Sequence, residues 1–368
     1  MTRLYRRLLA SLLIGLSPAA CAERLAGTYS EADFARVSKF DAHVHDNVAD
    51  DGFLRIAHAD GFEILSINTD YPDFPPLETQ AHITVAKHTA APAQYHFATT
   101  FPIAGFGKPG WTNQTIRAID AAVARGAQAV KVWKNIGMVA RDEQGQRIFL
   151  DDPRFDAVMA HIEQIHIPLI AHQGEPKNCW LPLADMTTEN DRSYFREHPE
   201  YYMYLHPSEP SYEALMSVRD RFVARHPHLA FVGAHLASLE WSVDALARFL
   251  DRYPSASVDM AARMTQLQVQ SNADREKIRA FIIKYQDRLL YGTDLTDDPP
   301  APGARAQNPP AQSDFGREAD EMWRSDWRYL ATPLHQRVEA IAADTPGLAL
   351  PRGVIDKIYY ANARRTFK

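Results

Sequence analysis

The chain has 368 residues, 46% hydrophobic and 23% charged, an ordinary globular composition with ample material for a large core. Its formal net charge is -6, and basic residues cluster only at the extreme N-terminus, which excludes nucleic acid as an expected partner. With only two cysteines, Cys21 and Cys179, a disulfide-stapled scaffold is excluded too, so stability must come from packing.

The first elements belong to a leader. Arg3, Arg6 and Arg7 precede an apolar stretch from Leu8 to Leu16, and Ala20-Cys21-Ala22 fits a cleavage site before Glu23. Residues 1–22 therefore read as an export signal and residues 23–368 as one domain, expected in the periplasm or outside the cell. The apolar stretch is too short to span a bilayer, and no later segment is long and apolar enough. Cys21 leaves a lipid anchor as the alternative, although Pro18 stands where such anchors use an aliphatic residue.

From residue 38 onward, short apolar runs alternate with amphipathic ones. "SKFDAHVH", "FEILSIN", "YHFATTF", "AQAVKVW", "IPLIAH", "LAFVGAH", "SASVDM" and "DRLLYGTD" each read as a buried strand. Between them, stretches such as "NQTIRAIDAAVARGA", "PSYEALMSVRDRFVARHP" and "SVDALARFLDRYP" carry apolar residues three and four apart, the helical spacing. Repeated strand-helix units imply parallel strands joined by right-handed crossovers. Eight such strands and a last helix near 353–366 predict a (β/α)8 TIM barrel. A doubly wound open sheet is the rival, weakened because no Gly-rich phosphate loop follows the first strand. Two connections are unusually long. Residues 173–209, after the fifth strand, carry Trp180, Tyr194, Phe195, Tyr201, Tyr202 and Tyr204. Residues 295–330, after the eighth, are rich in proline and hold Trp323 and Trp327. On a barrel both would cover the catalytic face.

The strand ends carry the chemistry. His43 and His45 lie two apart in a strand, so strand alternation aims both at one point. Lys131 ends the fourth strand, His172 the fifth, His235 the sixth and Asp294 the eighth. Barrel strand ends surround a single cavity, and imidazole with carboxylate gathered there suits zinc, with manganese or iron as alternatives. Glu175, just beyond His172, and Lys134, just beyond Lys131, are candidate substrate contacts. Arg263 is a candidate holder of a substrate carboxylate, although a structural pair with Asp259 would equally account for it.

With these residues in this order, the chain resembles the amidohydrolase superfamily, in its amidohydrolase-related, decarboxylase-like branch. The resemblance runs from residue 38 to the C-terminus and includes the tail "VIDKIYYANARRTF", where an Asn-Ala pair interrupts the last helix. It implies that His43, His45, His172 and Asp294 bind the metal, and that Asp294 also takes a proton from the attacking water. His235 would then contact substrate or a second metal and stabilise developing negative charge. One ion is implied, or two if Lys131 is carboxylated and bridges them. The implied activity is hydrolysis of an ester, lactone or amide bond of a small molecule by metal-activated water. The alternative within the branch is non-oxidative decarboxylation of an aromatic or unsaturated carboxylic acid. Homo-oligomerisation is left open by the sequence.

Overall fold

In the computed structural model, the structure describes residues 27–299 and 314–368. The leader, Cys21 and residues 300–313 of the second insertion lie outside the described residues.

The strands are β1 (Lys39–Asp46), β2 (Phe62–Ile67), β3 (Tyr95–Thr100), β4 (Ala129–Val132), β5 (Leu169–Ala171), β6 (Phe231–Gly233), β7 (Ser257–Asp259), β8 (Leu289–Leu290) and β9 (Leu295–Asp297). They form one nine-stranded parallel sheet in the order β8-β7-β6-β5-β4-β3-β2-β1-β9. The helices that flank it are α1 (Gly52–Ala59), α2 (Leu77–Ala90), α3 (Trp111–Val123), α4 (Asp156–Gln164), α5 (Glu189–Glu197), α6 (Tyr212–Arg225), α7 (Val243–Arg252), α8 (Met264–Ala273), α9 (Arg275–Lys284) and α10 (Asp314–Ala331). A hairpin of β10 (His335–Val338) and β11 (Ala343–Pro346) follows α10, and neither strand was legible in the sequence.

Of the expected eighth strand, 287–294, only Leu289–Leu290 is strand, and a second short piece follows beyond it at Leu295–Asp297. The first piece pairs with β7, the second pairs with β1 as β9, and Asp294 between them has φ 70°. Ala42 N donates to Tyr291 O at 3.0 Å and Asp294 N donates to His43 O at 2.8 Å, so the sheet curls until its first and last runs meet. The fold is thus α/β, with a curled, barrel-like parallel sheet inside a helical layer.

Two cores explain the arrangement. Phe40, Ala42, Leu65, Ile67, Ala98, Ala129, Ile170, Val232 and Leu290 pack together inside the curl. Phe367 of the C-terminal segment joins them and stacks on Phe40 at 6.3 Å, closing the end opposite the site. The second, larger core lies between strands and helices. Helical segments Arg352–Asp356 and Asn362–Thr366 are joined by a π-helical turn, Lys357–Ala361, so the interruption falls just before Asn362. Asn362 Nδ2 donates to Gln286 O and Leu289 O, both at 2.7 Å, fixing the entry to β8.

The second insertion serves the fold differently from expectation. Trp323 and Trp327 do not cover the pocket: both are buried in the larger core, on α10. Trp323 stacks on Phe62 at 4.3 Å and donates to the buried Asp41 Oδ2 at 2.9 Å. Cys179 is also core, its Sγ donating to Tyr201 O at 3.1 Å. No helix among the described residues is long and apolar enough to cross a membrane.

Candidate metal centre

β1 brings the first two histidines to the site by breaking its own alternation. Phe40 and Ala42 face the inner core, yet Val44 belongs to the outer one. A register shift between Asp41 and Val44 accounts for this: the bulge slips the alternation by one, so His43 and His45 turn inward. Strict alternation from Phe40 would have aimed both histidines outward. Gly292 lets the last run pass alongside, since a Cβ there would sit 3.1 Å from His43 Cβ.

His43 Nε2 and His45 Nε2 each lie 3.3 Å from Asp294 Oδ1, and Asp294 is partly open to the cavity above. His45 Nδ1 donates to Ile67 O at 2.7 Å, and His43 Nδ1 donates to Asp259 Oδ2 at 2.9 Å. Each ring therefore has its proton committed at Nδ1 and turns a lone pair at Nε2 toward Asp294. Burial, reinforced by Lys131 nearby, lowers the His43 pKa and keeps the ring neutral. Burial alone would raise the Asp294 carboxyl, but the positive charge that His235, His43 and His45 carry when protonated outweighs it, so the carboxyl loses its proton before these rings do and lies well below its usual range. Two lone pairs and a carboxylate oxygen converging this way are a fit for a divalent cation.

A second grouping, His43, His235 and Asp259, is also close enough to hold an ion, but its carboxylate is already engaged. Asp259 Oδ1 accepts from His235 N at 2.8 Å and from Ala261 N at 3.1 Å, while Oδ2 takes His43. One carboxylate thus orients two histidines, a role the sequence reading missed. Its only trace in the sequence is that Asp259, like the other candidates, ends a strand. The alternative expectation of an Asp259–Arg263 pair is not met: the carboxylate nearest Arg263 is Asp191, at 3.9 Å.

His235 sits in an unusual backbone. His235, Leu236, Ala237 and Ser238 all have φ between 55° and 57°, four consecutive left-handed residues without a glycine. Each such residue costs about 1–2 kcal/mol, so surrounding contacts must hold the turn. Its Nδ1 faces Ala261 O at 2.9 Å. A carbonyl can only accept, so Nδ1 carries the proton and Nε2 a lone pair. Burial pushes the His235 pKa down to about 3, so the ring is neutral at ordinary pH. Neutral His235 thus offers an acceptor or a ligand atom, not the donor that an oxyanion needs. The ring of His172 lies 4.2 Å from that of His235, and its buried Nε2 has no partner among the described residues. His172 is absent from both tight groupings, yet a ring nitrogen buried without a partner leaves His172 available as a ligand.

Lys131, fully buried, donates from Nζ to His43 Nε2 at 3.2 Å. Burial pushes its pKa down to about 8 against the pull of Asp259 and Asp294. Lys134 and Glu175, expected separately as substrate contacts, form a buried ion pair with each other. Tyr194 and Tyr201 flank the Lys134 ammonium at 5.7 and 5.4 Å. Above the strand ends opens a cavity of about 1100 Å³, bordered by His172, His235, Asp294 and Arg263. Both insertions reach it, the first through Tyr194 and Phe195, the second through Met322 and Asp326. Arg263 Nε is buried with no partner among the described residues, although its NH1 donates to Ala262 O at 3.0 Å.

The amidohydrolase family model matches residues 40–368. None of the curated proteins compared with the chain matches it. Among solved structures, the chain is similar to an apo protein from Agrobacterium tumefaciens, at 12% identity over 90% of this chain and 96% of that one, TM-score 0.43. It is also similar to an amidohydrolase from Mycoplasma synoviae, at 10% identity over 91% and 88%, TM-score 0.43. A lactonase from Listeria monocytogenes is similar at 11% identity over 91% and 95%, TM-score 0.39. With a family match over nearly the whole chain and a His/His/Asp cluster where the matched strands end, the chain belongs to the amidohydrolase family and is a metal-dependent hydrolase.

Proposed function

We propose that the protein hydrolyses an ester, lactone or amide bond of a small molecule bearing a carboxylate, in the periplasm or outside the cell. We read the curled sheet as a (β/α)8 barrel with this reaction at the C-terminal strand ends. The observation that carries the reading is the convergence of His43 Nε2, His45 Nε2 and Asp294 Oδ1 at 3.3 Å, with both Nδ1 protons already committed.

His43, His45 and Asp294 would hold one divalent ion, with His172 completing the set; zinc suits imidazole and carboxylate best. When bound, such an ion polarises a carbonyl and acidifies water. Asp294, whose carboxyl lies well below its usual range and is anionic at ordinary pH, accepts the proton of the attacking water and returns it to the leaving group. His235, neutral with its lone pair at Nε2, accepts a hydrogen bond from that water or from substrate. Arg263, which borders the cavity, turns its guanidinium to a substrate carboxylate, while the first insertion's Tyr194 and Phe195 pack the substrate body. An ammonium 3.2 Å from His43 Nε2 repels an ion at that nitrogen, so Lys131 in the loaded site is neutral or carboxylated. A second ion requires the carboxylated form. The leader pattern at residues 1–22 supports export.

The test is turnover in ¹⁸O-labelled water with a panel of lactones and esters of carboxylic acids. The reading expects one labelled oxygen per product and no carbon dioxide. Carbon dioxide release without label would make the protein a decarboxylase instead. Lys131→Met should abolish any second ion while the first is retained; two ions surviving in that variant would remove the bridging role.

A further inference from the structure

We infer that Tyr212, Arg219 and Gly233, none of which borders the main cavity, are positioning residues that hold the left-handed turn 235–238 and thereby aim His235 at the site. The inference rests on the reading that His235 faces the reaction.

Four consecutive left-handed residues without glycine do not persist on local preference. In His-Leu-Ala-Ser only His is enriched in this backbone, and Leu, Ala and Ser are not, so the hold must come from outside the turn. Two clamps come from one helix. In α6, Tyr212 and Arg219 lie seven residues apart, two helical turns, and so share a face. Arg219 NH1 donates to Ala237 O at 2.5 Å, and Tyr212 OH donates to Ser238 O. Both side chains are buried. Arg219 is set in turn by Asp220, 2.7 Å from its NH2, and by the Phe249 ring at 4.4 Å. Trp241 Nε1 donates to Tyr212 OH at 2.7 Å and orients the hydroxyl. Ser238 Oγ donates to Gly174 O at 2.8 Å, tying the turn to the segment between His172 and Glu175.

The third element is space. Gly233 ends β6, and a Cβ there would lie 2.5 Å from Ala237 Cβ, closer than real atoms approach. The turn folds back onto that missing side chain. Gly233 has an ordinary φ of -75°, so the glycine answers to the close approach and not to its own backbone. The contact is reciprocal: shortening residue 237 should make room for a longer residue 233.

The experiment uses the full chain and two readouts. In ion-free protein, the His235 Nδ1 proton, shielded by Ala261 O, should give a slowly exchanging downfield proton NMR signal, assigned by its loss in His235→Gln. The second readout is kcat against KM on the lactone and ester panel. Gly233→Ala should abolish the signal and lower kcat about 10- to 100-fold with little change in KM. Gly233→Ala combined with Ala237→Gly should recover much of both, and Ala237→Gly alone should leave both intact. A Gly233→Ala protein that melts earlier yet keeps signal and kcat would overturn the inference, as would a double variant no better than the single. Should Gly233→Ala not fold, Tyr212→Phe decides. It keeps the ring but drops the clamp, and an unchanged signal and kcat there would contradict the assignment. If the signal responds as expected but the wild type hydrolyses nothing on the panel, the turn is assigned correctly and the hydrolase reading fails.

Discussion

His43, within β1, and His235, two residues past β6, share the carboxylate of Asp259 and are held in opposite ways. Asp259 grips His43 by its ring Nδ1 and His235 by its backbone N–H. At β1 the backbone stays extended and one bulge sets the direction of both histidines. Past β6 the backbone is left-handed for four residues, and the hold comes from the preceding helix α6 and from Gly233, two residues before His235. The lesson is that one cluster is built by two routes, one through strand geometry and one through packing against the turn.

Asp259→Asn acts on both ends at once and should have the largest effect. An amide cannot accept at both oxygen positions, so either His43 loses its tautomer or two backbone N–H groups lose their acceptor. We expect metal affinity and kcat to fall about 10- to 100-fold with the fold retained by circular dichroism. Wild-type values would mean that the two ends do not depend on their shared carboxylate.

Charge separates the two sides further: Asp294 sits among imidazoles near β1, while beyond β7 Arg263 has an Nε to spare. Arg263→Met should raise KM about 10- to 100-fold for carboxylate-bearing substrates, with kcat nearly kept. An equal loss on neutral substrates would assign Arg263 to packing instead. The smallest effect belongs to Trp323→Phe, which acts on β1 through Asp41 and leaves the His235 turn untouched. It removes one donor from buried Asp41, whose Oδ1 accepts from Thr293 N at 3.0 Å just before Asp294. Urea unfolding should show a loss of about 1–3 kcal/mol, with turnover per folded molecule unchanged. A drop in turnover without a drop in stability would restore the covering role expected from sequence.

The two ends also differ in how much of them the sequence revealed. The strand runs, their order, and the candidate residues at their ends were readable because buried parallel strands and amphipathic helices leave periodic patterns. The convergence of His43 and His45 was read from alternation. The bulge that makes it true was not, because a one-residue slip leaves no compositional mark. Lys134 and Glu175 were named separately, and only the fold shows that they neutralise each other. Trp323 and Trp327 looked like a lid because the sequence gives aromatic content without direction. The clamps of Tyr212 and Arg219 on the His235 turn join residues 18 and 26 apart through side-chain to backbone bonds, which no local pattern encodes.

The central claim is that His43, His45 and Asp294 form a divalent-metal site. Its most direct test is metal analysis of protein stripped by chelator, reloaded with zinc and dialysed, comparing wild type with Asp294→Ala. The account predicts about one tightly held ion per chain in the wild type and a small fraction of that in the variant. Equal zinc retention by both proteins would contradict it.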